Sequence, residues 1–179
     1  GTLDMCKEVT EVVVSGEEIS LVKACEVLAA WDGTVKLGSK GAILWREFAG
    51  AYKNSLSEHL LDEVYATPWS DKDILHTPTG LSWKTAKGKL TGAAKNLALA
   101  VRRLNKASIP LDATLGEYQY TTKDGEKLAV PGGMQPLGCF NIAQFGERAT
   151  TIAKEIVQTD VINSATDLTK TGYPVDYGS

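Results

Sequence analysis

The chain holds only two histidines and three cysteines in 179 residues. That scarcity narrows the chemistry on offer. Neither a CxxC pair nor a Cys/His cluster is present, so a structural zinc site is not expected. No run of about 18 apolar residues occurs, so no segment reads as a membrane-spanning helix. Positive charge is not in excess either: the net charge is −3. Bulk charge therefore gives no footprint for nucleic acid, and the basic and aromatic residues do not interleave as a single-strand binder requires. The opening Gly1-Thr2-Leu3-Asp4 lacks the basic start and apolar stretch of a secretory leader, and there is no initiator Met. It reads as the start of a processed or excised piece. Internal repeats and low-complexity linkers are absent as well.

What is there is an ordinary folding composition. Apolar residues make up 43% and charged residues 23%, enough to build one core and too apolar for a disordered chain. Residues 3–14 begin helix-like and end in the β-branched run Val12-Val13-Val14, and their type stays open. Ser20 is a candidate N-cap for a helix carrying Leu21, Val22, Ala24, Cys25, Leu28 and Ala29, with Gly33 as its stop. A second helix is expected over 41–55 with Ile43, Leu44, Phe48, Ala51 and Tyr52 inward, and a short third over 57–64. Residues 70–83, rich in Thr, Pro and Asp, read as an ordered loop. The clearest periodicity is over 85–107, where Leu90, Ala93, Ala94, Leu97, Ala100, Val101 and Leu104 recur at helical spacing. Lys84, Lys87, Lys89, Lys95, Arg102, Arg103 and Lys106 read as the solvated face of that helix.

The pattern changes after Pro110. Residues 116–122 and 126–130 are β-rich and flank Lys123-Asp124-Gly125, a strong hairpin signal. Val130-Pro131-Gly132-Gly133 reads as a turn, 139–145 as a further strand, 149–161 as a helix, and the tail after Asn163 as loop. The expected fold class is mainly α with a small β element: a helical bundle followed by a β-hairpin and a short strand. The chain divides into a helical segment, 1–109, and a hairpin-plus-helix segment, 110–179, within one compact unit.

Several residue groups invite a chemical reading and fall short of it. His76 with Asp71 or Asp73 and Ser70 or Ser82 could be drawn as a triad, but residues so close in sequence rarely converge, and no GxSxG elbow is present. His59 lies in the expected third helix. Glu17-Glu18, Asp62-Glu63 and the Asp71/Asp73 pair lack the remainder of a calcium loop, and neighbouring helix residues point apart. Gly132-Gly133 is not followed by the Lys-Ser/Thr of a phosphate loop. Trp31, Asp32 and Arg46 read structurally. Trp31 would cap a helical core with its indole N–H bonded, Asp32 would bond backbone in the next turn, and Arg46 would pair with Asp32 or with the neighbours of Glu47. Cys6 and Cys25 lie in apolar stretches on either side of the Ser15-Gly16-Glu17-Glu18 turn. Antiparallel packing would allow a disulfide, and two small buried thiols are the alternative. Cys139 reads as core. No residue is assigned to catalysis, to a cofactor or to a metal.

Two stretches carry a likeness to a known family. They are Ala24-Cys25-Glu26-Val27-Leu28-Ala29-Ala30-Trp31-Asp32-Gly33 and Gly41-Ala42-Ile43-Leu44-Trp45-Arg46-Glu47-Phe48. Ile109-Pro110-Leu111, Leu115-Gly116, Val130-Pro131-Gly132-Gly133 and Gly138-Cys139-Phe140-Asn141 follow at similar order and spacing, and Pro174-Val175-Asp176-Tyr177-Gly178-Ser179 closes the match. Together they resemble an internal segment of the large subunit of the penicillin acylase family of N-terminal nucleophile hydrolases. The nearest branch is that of the acyl-homoserine-lactone and aculeacin acylases. The resemblance implies amide hydrolysis by a serine at a free amino terminus, its α-amino group serving as base and backbone and Asn donors forming the oxyanion hole. Gly1 has no hydroxyl. Thr2 would acquire a free amino group only after loss of Gly1, and its surroundings do not resemble the family's nucleophile segment. The resemblance implies an exported, oxidising setting, which favours a Cys6–Cys25 disulfide. The calcium site common in penicillin acylases belongs to other parts of their sequence. Implied partners are the remainder of the acylase subunits and, for the whole enzyme, an N-acyl small molecule: an acyl-homoserine lactone, an acylated lipopeptide or a β-lactam. Neither nucleic acid nor membrane is expected to bind, and apolar faces left open in an isolated piece would favour a homodimer. Residues 149–171 look like an insertion relative to the family. The other reading is a free-standing helical protein-interaction domain without catalysis.

Overall fold

Ser15 and Gly16 set the first turn of the chain. Both have positive φ, 54° and 79°, as a two-residue type I′ hairpin requires. Val12-Val13-Val14 therefore becomes strand β1 (Glu11–Val14), paired antiparallel with β2 (Glu17–Ser20). The computed structural model describes residues 2–53, 65–84, 87–88, 91–133 and 160–175. Ahead of β1 lies α1 (Thr2–Glu8), so the open stretch 3–14 is helix and then strand. A helix of seven residues is too short to hold itself in water. The disulfide Cys6–Cys25, with Cα atoms 5.7 Å apart, fastens it to α2 (Val22–Ala30).

Ser20 ends β2 and Leu21 holds the N-cap position, yet the Ser20 hydroxyl still accepts from the Val22 N–H, the first donor of α2, at 3.4 Å. Ala24, Val27 and Leu28 face inward, whereas Ala29, expected there, is exposed. Gly33, at φ 72°, follows the helix end. In α3 (Ala42–Lys53) Ile43, Leu44 and Phe48 of the expected inward set are buried and Ala51 is half-buried, while the Tyr52 side chain lies outside the described residues. Just before it, Gly41 sits at φ 95°, and a Cβ there would meet the Cβ of Trp31 at 2.7 Å. Trp31 therefore rests on the start of α3.

Helix α4 (Ala93–Lys106) packs on α3 and on the β1–β2 hairpin. Its buried stripe is Ala93, Ala94, Leu97, Ala98, Ala100, Val101 and Leu104. The expected start at Thr85 is too early. Gly88 has φ 77°, outside helical backbone, and the Thr91 hydroxyl donates to Ser82 O at 2.7 Å. Lys84 and Lys87 accordingly precede the helix. Lys95, Arg102 and Lys106 are exposed on it, and Arg103 is half-buried.

Residues 116–118 are not strand. Thr114 and Glu117 form a capping box, with Thr114 N–H donating to Glu117 Oε2 at 2.7 Å, and it opens the single turn α5 (Leu115–Tyr118). The hairpin follows as β5 (Gln119–Lys123) and β6 (Glu126–Ala129), turning at Asp124 and Gly125 with φ 52° and 84°. The tail after Asn163 is not loop. It supplies β8 (Leu168–Thr169), antiparallel to β7 (Val161–Asn163), and β9 (Tyr173–Pro174), which lies parallel to β5 on the side away from β6. Another two-stranded ribbon joins β3 (Tyr65–Thr67) to β4 (Thr79–Leu81).

The expected helical bundle with one small β element is thus overturned. Among the described residues five helices alternate with nine strands in four small sheets, a mixed α/β arrangement. The cause is strand length. Strands of two to five residues are too short to show the period-2 pattern by which strands are read. The expected helix 57–64, strand 139–145 and most of helix 149–161 lie outside the described residues. At the end of that last segment Val161 belongs to β7. The core runs from Met5 through Leu21, Leu44, Leu97 and Leu104 to Leu168 and Tyr173, drawing on both sides of Pro110.

Candidate functional site

Arg46 and Glu47 are consecutive in α3, and both are buried, at 2% and 0% relative exposure. Moving two charges out of water costs several kcal/mol per ion unless each is matched. The fold matches both. Arg46 donates through Nε and Nη2 to the Thr166 carbonyl at 3.0 and 2.8 Å, and through Nη1 to Gln119 Oε1 at 2.7 Å. Its guanidinium lies 4.3 Å from the centroid of Tyr173, a cation–π distance, and Asp167 Oδ2 stands 4.0 Å from Nη2. Glu47 accepts from Asn163 Nδ2 and from the Tyr173 hydroxyl, each at 2.8 Å.

The network extends outward from these two. Gln119 Nε2 donates to the carbonyls of Val130 and Gly132 at 2.7 and 3.0 Å, which orients its amide so that Oε1 faces Arg46. The Gly132 N–H donates to Val35 O at 3.0 Å. Residues 130–132 are irregular backbone rather than the expected turn, and they are bonded into the protein rather than open to an anion. Burial, and next the negative charge of Glu47, push the Tyr173 phenol well above its ordinary pKa, so it stays protonated and donates. One turn after Arg46, Gly50 completes the fit: a Cβ there would lie 2.1 Å from Thr166 Cγ2.

This network fastens α3 to β5, β7, β9 and the β7–β8 turn. It presents no nucleophile. A phenol with a raised pKa is a poorer acid than tyrosine in water, and Glu47 is fully enclosed. Its chemistry is that of a structural clamp.

The Trp31 corner is built as its residue types suggest. The indole N–H donates to Thr34 O at 2.9 Å, and Asp32 Oδ1 accepts from the Thr34 N–H at 2.9 Å. That backbone bond, with the Thr34 hydroxyl next, holds the Asp32 carboxyl below its usual range. The Trp31, Trp45 and Phe48 rings follow one another at 5.5 and 5.6 Å. Arg46 does not reach toward Asp32. Nor does it pair across packed helices: it stacks on Tyr173 of β9 and bonds to Gln119 of β5 and to the Thr166 carbonyl.

The remaining sequence candidates do not converge. His76 Nδ1 meets Asp73 Oδ1 at 2.6 Å on an exposed loop, while the Ser70 hydroxyl accepts from the Lys72 N–H at 3.2 Å. Ser82 contributes only its carbonyl, to Thr91. Thr2 is the first residue of α1. Glu17 pairs with Arg102 at 3.0 Å. Among the described residues no group of three His, Cys, Asp or Glu is placed to hold a metal ion. His59, Asp62, Glu63 and Cys139 lie outside the described residues. Gln119, Asn163, Thr166 and Tyr173 carry no local signal in the sequence. Glu47 does carry one: it follows Ile43 and Leu44 by four and three positions, which puts it on the apolar face of α3.

With this geometry in place, comparison with known proteins decides the lineage. Residues 3–177 match the family model described as penicillin amidase. The chain belongs to the penicillin amidase family. Among its relatives is the acyl-homoserine lactone acylase PvdQ of Pseudomonas fluorescens strain Pf-5, 27% identical over 140 residues, which are 78% of this chain and 17% of the relative. The PvdQ protein of Pseudomonas syringae pathovar syringae strain B728a is 27% identical over 124 residues, 69% of this chain and 15% of the relative. That of Pseudomonas fluorescens strain Pf0-1 is 26% identical over 132 residues, 73% of this chain and 16% of the relative. The chain thus matches about a sixth of the length of these relatives. In this member of the penicillin amidase family, the two stretches that carried the likeness are the Trp31 corner and the clamp helix α3.

Proposed function

We propose that this chain is an internal portion of an exported acylase that hydrolyses the amide of N-acyl small molecules, acyl-homoserine lactones first among them. Acylated lipopeptides and β-lactams are the other substrates the family resemblance implies. Within that enzyme the portion acts as a scaffold, and the nucleophile, an N-terminal serine, lies elsewhere in the polypeptide. The Arg46–Glu47 clamp carries the reading. The charged groups buried deepest in the described residues are engaged with neighbouring parts of the fold, as a framework requires and as a catalytic centre, which must leave a reactive group free to meet substrate, does not. The Cys6–Cys25 disulfide supports an oxidising compartment, periplasmic or extracellular.

The test is turnover of an N-acyl-homoserine lactone by the gene product as isolated from its source, read as release of the free amine. Hydrolysis is expected, and it should survive Thr2→Ala undiminished. A well-folded product inert toward N-acyl amides, or one whose turnover disappears in the Thr2→Ala variant, would overturn the proposal.

A further inference from the structure

The β3–β4 ribbon ends in a tip that reverses the usual distribution of side chains. Trp69, Ile74 and Leu75 are 63%, 64% and 86% exposed. The tip is not loose coil. The Thr77 hydroxyl accepts from Ser70 N–H at 2.9 Å and donates to Asp73 O at 2.6 Å. Asp73 N–H donates to Ser70 O at 3.2 Å, and Thr77 N–H to Asp73 O at 3.1 Å. The stem is anchored too. Leu81 and Trp83 pack against the core, and Lys84 pairs with Glu8 of α1. An anchored stem and an internally bonded tip hold three large apolar side chains largely in water, where each is less favourable than when buried. A preformed apolar projection of this kind has the makings of an interface anchor, with Trp the residue type most enriched at such positions.

We propose that this tip docks against the part of the acylase polypeptide that lies beyond residues 1–179. The proposal rests on the acylase-portion reading above. Two observations choose this occupant. The matched stretches are 15–17% of the relatives' length, so most of a relative's chain has no counterpart here and is available to cover the tip. The tip's own charges are Asp71, Lys72 and Asp73, an acidic balance that disfavours an anionic lipid surface and suits the mixed polar rim of a protein interface.

The experiment is hydroxyl-radical footprinting of the native gene product, with oxidation of Trp69 and Leu75 compared between the folded protein and the same protein unfolded in guanidinium. Docking predicts protection of about tenfold or more at both residues, because an interface core excludes water. Oxidation near the unfolded rate would overturn the proposal. So would a native product with the mass of this chain alone, 19.2 kDa. Protection that arises only when phosphatidylglycerol vesicles are added would overturn it in favour of a lipid surface. Amine release from an N-acyl-homoserine lactone is measured on the same sample. Protection without hydrolysis would sink the acylase reading and keep the docking surface, and hydrolysis without protection would do the reverse.

Discussion

The clamp around Arg46 and Glu47 and the tip at Trp69, Ile74 and Leu75 break the same rule in opposite directions. The clamp places charge inside, and the tip places large apolar groups outside. The difference between them is where each exception is resolved. Described residues hold the clamp on several sides: Thr166, Gln119, Asn163 and Tyr173 are among its partners. The tip is internally bonded, yet its apolar end stays exposed among the described residues. One region explains itself, and the other points outward. Stability should therefore depend steeply on the first and hardly at all on the second.

The largest effect is expected at Glu47. Glu47→Ala removes the acceptor of Tyr173 and Asn163 and leaves both donors buried without it. Leaving a buried donor unsatisfied costs about 1–3 kcal/mol, more where the lost partner is charged, and here two donors lose the same carboxylate. The urea midpoint of the purified chain should fall steeply, and a midpoint within the scatter of the wild type would show that Glu47 contributes no net stability. Next comes the disulfide. Cys6 and Cys25 are separated by 19 positions, and closing a loop of this size in the unfolded chain is worth about 3 kcal/mol. The double variant Cys6→Ser/Cys25→Ser should lose about that much, with the first protection from amide exchange disappearing in α1. Equal loss of protection across α1 and α4 would mean that the disulfide supports the whole fold rather than its first helix.

Much of the local structure was legible in the residues. The Ser15-Gly16 and Asp124-Gly125 turns, the inward faces of α3 and α4, and the roles of Trp31 and Asp32 follow from propensities and spacing within a few positions. What was not legible is long-range or very short. Arg46 meets Thr166 and Gln119 at separations of 120 and 73 positions, and no local pattern announces such a pairing. Strands β8 and β9 have two residues each, β8 lying on β7 and β9 on β5, beside the clamp residues Thr166 and Tyr173. The misread turn at 116–118 is different: Thr114-Leu115-Gly116-Glu117 is a capping-box sequence in plain view, overridden by the β-rich residues that follow it. Burial of Glu47 was in the same position, written into its spacing from Ile43 and Leu44.

That capping box offers a smaller and pH-dependent effect. Bonds from the Thr114 hydroxyl and, next, the Thr114 backbone N–H hold the Glu117 carboxyl below its ordinary value of 4.5. A carboxylate with a depressed pKa in the folded state binds its proton more readily when unfolded. It therefore contributes stability above the unfolded value and loses it as the pH falls through the folded one. Thr114→Ala should lower stability near neutrality and progressively less as the pH drops below 4.5. A cost independent of pH down to strong acid would assign the loss to packing rather than to the Glu117 carboxylate.

The smallest expected effect is the one that separates the two regions most cleanly. Trp69→Ser, Ile74→Ser and Leu75→Ser replace side chains that already face water, so each should change the stability of the purified chain by no more than about 0.5 kcal/mol. Ser70, Asp73 and Thr77, which hold the tip's shape, are untouched. A loss comparable to that of Glu47→Ala would mean that the tip is packed within this chain and that the contrast with the clamp is false. A null effect on the chain's stability would place any consequence of these substitutions in what the tip meets. Exposed apolar groups that cost the fold nothing when removed, yet sit on a tip shaped by its own bonds, are a sign that the shape is maintained for a contact the described residues do not make with one another.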